Sequence, residues 1–112
     1  MVLESSLDLN KIIETIGIDT IIIIDNNGDL VNSLNIDYGE NIAAMTEVVF
    51  SMCKDLSKDL NNGSLEQLMM RTTEGFLIAN KVGTDHIVAT ICKDHSKLGL
   101  TLKKMNSIET II

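Results

Sequence analysis

The sequence predicts a single α/β domain in which helices cover both faces of one sheet, with elements in the order α-β-β-α-β-β-β-α. Ile21, Ile22, Ile23 and Ile24 are consecutive and β-branched. A strand there is apolar on both faces, so both faces must be covered. Ile87, Val88, Ala89, Thr90, Ile91 and Cys92 repeat that pattern further on, which places a second strand in the middle of the sheet. Stretches with apolar residues three and four positions apart supply the covering helices.

Each element follows in turn. Leu9, Ile12, Ile13 and Ile16 keep helical spacing, with Ser5, Ser6 and Asp8 before them as caps and Gly17 after them as a stop. Residues 18–25 form the first strand. Asp25-Asn26-Asn27-Gly28-Asp29 is rich in residues that accept positive φ, so it joins that strand to a second, 30–36, as a hairpin with Asn27-Gly28 at the tip. The longest helix runs from 38 or 39 to 60. Its stripe is Ile42, Met45, Val49, Met52, Leu56 and Leu60, widened by Val48, Phe50 and Cys53, and Asn61-Asn62-Gly63 ends it. An arc that wide covers a sheet and still offers a second apolar surface. Residues 65–72, 76–82 and 86–93, separated by short glycine-containing turns, read as an antiparallel meander whose first strand is the edge. Leu98, Leu100, Leu102, Met105 and Ile108 lie on a terminal helix with Ser96 as its expected N-cap.

Length and charge narrow the function. At 112 residues, residues 1–112 read as one domain, large enough for an ordinary core without disulfide or metal staples. Nine Lys and Arg against sixteen Asp and Glu leave a net charge of −7, which repels phosphate backbones and anionic lipid. Nucleic acid is therefore not an expected partner, nor is membrane insertion: the longest aliphatic run is four residues, Ile21 to Ile24, far short of the ~20 that span a bilayer. Two cysteines and an opening Met1-Val2-Leu3-Glu4 without a signal-like apolar stretch point to the cytoplasm.

The candidate chemistry is thin. Cys53 and Cys92 sit in apolar stretches, where a free cysteine behaves as a small hydrophobe rather than a nucleophile for His86 or His95. Cys92 and His95 have a metal-like spacing but no second pair, and a zinc site needs three or four convergent ligands. Asp25, Asn27 and Asp29 imitate the start of a calcium loop, which fails where Leu30 replaces the required glycine and Ile36 the bidentate glutamate. The glycines are scattered singly, so neither common phosphate-cradling pattern is present. No catalytic residue, metal or cofactor is expected. The methionines allow two readings, irregular core filling or an adaptable protein-binding surface. Met69 and Met70, successive on a strand, must point to opposite faces.

The strand and hairpin 17–31, the segment Asn41-Ile42-Ala43-Ala44-Met45 opening the long helix, and Ser96-Lys97-Leu98-Gly99-Leu100 opening the last one resemble the roadblock / dynein light chain family. The likeness is greatest to prokaryotic members described as regulators of Ras-like GTPases, and it spans about residues 7–108. It implies a profilin-like sandwich: five antiparallel strands, the long helix on one face and the terminal helices on the other. It further implies a non-enzymatic module that forms a homodimer, or pairs with a related roadblock-type subunit, through its third strands and long helices, and that binds a small Ras-like GTPase. On that mapping the dimer residues are Met45, Val49, Met52 and Leu56 with Leu68, Met69, Met70 and Arg71, and the GTPase-facing residues are Glu40, Thr46, Glu47, Ser51 and Lys54. The alternative is an adaptor or sensor subunit of longin or profilin-like form that binds a peptide or another scaffold.

Overall fold

The structure, a computed structural model, describes residues 9–18 and 20–108. The capping residues expected at Ser5, Ser6 and Asp8 lie outside them. Along the chain come α1 (Leu9–Ile16), β1 (Ile21–Asp25), β2 (Leu30–Leu34), α2 (Gly39–Asp59), β3 (Gln67–Thr72), β4 (Gly75–Val82), β5 (His86–Cys92), a 3₁₀ turn (His95–Lys97) and α3 (Leu98–Met105). The order is the expected one with the 3₁₀ turn added.

The strands form one antiparallel sheet in the order β2-β1-β5-β4-β3. The isoleucine run explains the layering. Ile21 and Ile23 point into a cluster with Ile12, Ile16, Val88, Met105 and Ile108, beneath α1 and α3. Ile22 and Ile24 point the other way, against Ala43 and Phe50 of α2. All four are fully buried. β5 is central and β3 is an edge, as the apolar patterns predict.

The two edges differ. β3 pairs with β4 in unbroken register from Gln67 opposite Asn80 to Thr72 opposite Gly75. On β2 the register shifts between Ile23 and Ile24, a bulge that sets Leu30 opposite Ile24 and Asn32 opposite Ile23.

Turn chemistry closes the hairpins. Asp25 Oδ1 accepts hydrogen bonds from the backbone N–H of Asn27 and of Asp29, both 2.9 Å. The residues that imitate a calcium loop are therefore occupied in holding a turn. Gly28 adopts φ +85°, and a Cβ added there would stand 3.3 Å from Glu47 Cβ, so the hairpin tip rests directly on α2.

One terminus is built differently from the expectation. Ser96 is not the N-cap of the last helix. Asp94 caps the 3₁₀ turn instead, its Oδ1 accepting from Ser96 N at 3.0 Å and from Ser96 Oγ at 2.7 Å. The chain tightens into a 3₁₀ turn before α3, which moves the cap two residues upstream.

Candidate functional site

α2 has more apolar side chain than the sheet beneath it can take. Ala43, Thr46 and Phe50 are buried, and Ala43 and Phe50 pack among Ile22, Ile24, Ala79, Ile87 and Ala89. Met45, Val48, Val49, Met52, Leu56 and Leu60 are exposed, Met45 by 61% and Met52 by 66%. Their spacing of three and four aligns them along the helix. At 1.5 Å per residue, Met45 to Leu56 spans about 16 Å.

A second uncovered surface lies on the edge strand. Residues opposite one another share a face of the sheet, so Leu68 and Met70 lie on the α2 side with Ala79 and Leu77. Met69 and Arg71 lie on the other side with Ile78 and Phe76. Met69, Met70 and Arg71 are exposed and Leu68 is half-buried. Among the described residues the outermost strand is paired on one side alone, and from Met69 to Thr72 its side chains are exposed on both faces.

The methionines divide between the two readings. Met105 fills the core at 0% exposure, whereas Met45, Met52, Met69 and Met70 are exposed.

Of the five polar positions on α2, Glu40 and Lys54 are exposed and Glu47 and Ser51 half-buried. Ser51 Oγ donates to Glu47 Oε2 at 2.5 Å. These four share one flank by helical spacing. Thr46 requires a correction: at 7% exposure it faces the sheet and offers a partner almost nothing. A threonine among apolar neighbours reads from sequence as solvent-facing, but here its small volume suits the helix-sheet seam.

Of the side chains that could carry chemistry, Cys92 and His95 make structural contacts. Cys53 and Cys92 are free and half-buried, and the backbone N–H of Asp94 lies 3.4 Å from Cys92 Sγ. His95 Nε2 contacts the carbonyl oxygens of Thr72 and Gly75. Among the described residues no group of three His, Cys, Asp or Glu is placed to hold a metal.

One feature the sequence does not reveal is a solvent-open groove of about 800 Å³ where α2 ends, lined by Lys54, Lys58 and Lys81 with the loop after the helix. Lys81 comes from β4, twenty-three residues past Lys58, so no local motif announces it.

Five antiparallel strands, one long helix on one face and two short helices on the other define an α/β sandwich of the profilin-like class. No curated protein matches the chain in sequence. The chain belongs to the Roadblock/LC7 domain family, whose model matches residues 5–92. The fold is shared with Myxococcus xanthus MglB (TM-score 0.78, 18% identity, covering 93% of this chain and 86% of that one). It is shared likewise with the gliding protein MglB of Thermus thermophilus (TM-score 0.79, 12% identity, 92% and 81% covered). Profilin II of Acanthamoeba castellanii has the same general form (TM-score 0.59, 11% identity, 91% and 94% covered). Roadblock domains are generally regulatory or scaffold modules rather than enzymes. No helix among the described residues is long and apolar enough to cross a membrane.

Proposed function

We propose that this chain is a non-enzymatic regulatory module that pairs with a second copy, or with a related roadblock-type subunit, and engages a small Ras-like GTPase in the cytoplasm. The observation that carries the reading is the presence, in one protomer, of an exposed apolar row on α2 and an open, regular edge strand. A lone copy leaves both unsatisfied. Covering each half-exposed Met, Val or Leu contributes on the order of 1 kcal/mol, and pairing the β3 edge removes an exposed template for unwanted association.

In this reading Met45, Val49, Met52 and Leu56, with Leu68, Met69, Met70 and Arg71, form the seam between copies. Glu40, Glu47, Ser51 and Lys54 are left for the GTPase. The module acts on the nucleotide cycle by favouring one conformation of the partner's switch regions rather than by donating chemistry of its own.

The test is direct. Light scattering on the purified chain is expected to give twice the protomer mass at micromolar concentration. Titration with the small Ras-like GTPase encoded nearest its gene is expected to show binding that depends on GTP or GDP and alters nucleotide turnover. A monomer overturns the pairing, and a dimer indifferent to the GTPase in either nucleotide state overturns the regulatory reading in favour of an adaptor.

A further inference from the structure

We propose that the groove at the C-terminal end of α2 is a docking site for a short acidic, leucine-containing segment of a protein partner, separate from the apolar row. The chain carries a net charge of −7 with only nine Lys and Arg, yet Lys54, Lys58 and Lys81 all line this one groove. Lys54 and Lys58 are one helical turn apart on a common face of α2. Lys81 lies opposite Ile87 and so on the α2 side of the sheet. No ion pair engages any of the three among the described residues.

The loop that shares the groove with the lysines is held in place at both ends. Ser57 Oγ donates to the Gly63 carbonyl at 3.0 Å, and Lys81 N–H donates to the Glu66 carbonyl at 3.0 Å. Between those anchors Ser64 and Leu65 make no hydrogen bond within the described residues. Both line the groove, and half-buried Leu65 offers an extended segment an apolar contact. A volume of about 800 Å³ fits several residues of chain rather than one small anion. A long polyanion such as nucleic acid suits it poorly, because the rest of the molecule repels one while a short segment meets only the local charge. Asp55 on the rim limits how much negative charge the groove accepts. Helical spacing sets Lys54 and Lys58 on roughly the opposite flank of α2 from Met45 and Met52, so this inference stands or falls apart from the pairing of copies.

The probe is a fluorescently labelled peptide of alternating Glu and Leu, titrated with the full chain and followed by anisotropy. Saturable binding is expected, weakened about tenfold by Lys58→Glu with Lys81→Glu, in a variant whose circular dichroism and oligomeric mass match the wild type. Should that variant fail to fold, Lys58→Gln with Lys81→Gln is expected to weaken binding in the same direction. Raising salt from about 50 to about 300 mM is expected to loosen wild-type binding more than the variant's, and Met52→Glu is expected to leave it unchanged. Equal binding of a Lys-Leu peptide, full displacement by equimolar inorganic phosphate, absence of saturation, or indifference to both lysine variants would each overturn the proposal.

Discussion

His95 Nε2 lies 2.9 Å from the carbonyl oxygen of Thr72, across twenty-three residues of sequence, and 3.1 Å from that of Gly75. Two carbonyl acceptors require that this nitrogen carry the proton, so the ring is the Nε2–H tautomer or the doubly protonated form. The imidazole thereby clamps the turn between the edge strand and its neighbour to the entry of the last helix. His95→Ala is expected to cost about 1–2 kcal/mol, read as a drop in thermal midpoint. It is also expected to speed amide exchange at the β3–β4 turn ahead of the core strands. Uniform loss of protection would count against a local clamp.

The neighbouring Asp94 makes stability depend on pH. Hydrogen bonds from the Ser96 side chain and backbone hold its carboxyl below the usual 3.8, assisted by the charges of Lys97 and His95. A carboxyl lowered on folding contributes stability that is present above its unfolded value and lost as pH falls through its folded value. Asp94→Asn is therefore expected to melt below wild type at neutral pH, with the gap closing in acid below 3.8. A gap that is constant with pH would show that the charge is irrelevant.

Gly75 begins β4 with no room for a side chain. A Cβ there would collide with the Cys92 carbonyl oxygen and stand 3.0 Å from Lys93 Cα, both backbone atoms that cannot swing aside. Gly75→Ala is expected to destabilise by about 2–4 kcal/mol, measured by urea unfolding. The same change at Gly99, where a Cβ would meet nothing within 4 Å and which lies inside α3, is expected to stabilise slightly.

Thr90 sits at the centre of β5, fully buried, and its hydroxyl oxygen finds no partner among the described residues. It lies between Ile21 and Ile78 in register. Thr90→Val keeps the shape and removes the unsatisfied group, so it is expected to be neutral or to stabilise by about 1 kcal/mol. A clear loss in denaturant midpoint would mean that the hydroxyl is hydrogen-bonded in solution.

Met52 separates the stability of a protomer from that of a pair. It is 66% exposed in the single chain, so Met52→Glu is expected to leave protomer folding within about 0.5 kcal/mol. The same carboxylate buried in a seam would cost several kcal/mol, seen as a shift from dimer to monomer in sedimentation. Val49→Glu is expected to behave alike. Unchanged mass in both variants would remove α2 from the seam.

The fold was legible because the inner strands β1 and β5 are written in runs that are apolar on both faces. Ile21–Ile24 could only be covered from both sides, and glycine and asparagine marked nearly every turn. The apolar row on α2 was equally visible, since spacing alone reveals it. Its direction was not: Met45, Met52 and Leu56 are more hydrophobic than Ala43 and Thr46, yet Ala43 and Thr46 are buried with Phe50 and the methionines are exposed. Ala43, Thr46 and Phe50 share one side of the helix at spacings of three and four, and it is this side, small and large residues alike, that lies on the sheet. The His95 clamp and the Lys81 wall of the groove escaped altogether, because each joins residues that only the folded chain brings together.

The bulge on β2 bears on how far assembly can run. If copies join through the straight β3 margins, the combined sheet ends on either side at a kinked β2, whose irregular carbonyl and amide rows offer the next molecule no matching template. Growth by strand addition then halts at two, and a protein with one adhesive border is kept from polymerising into filaments by the geometry of the other.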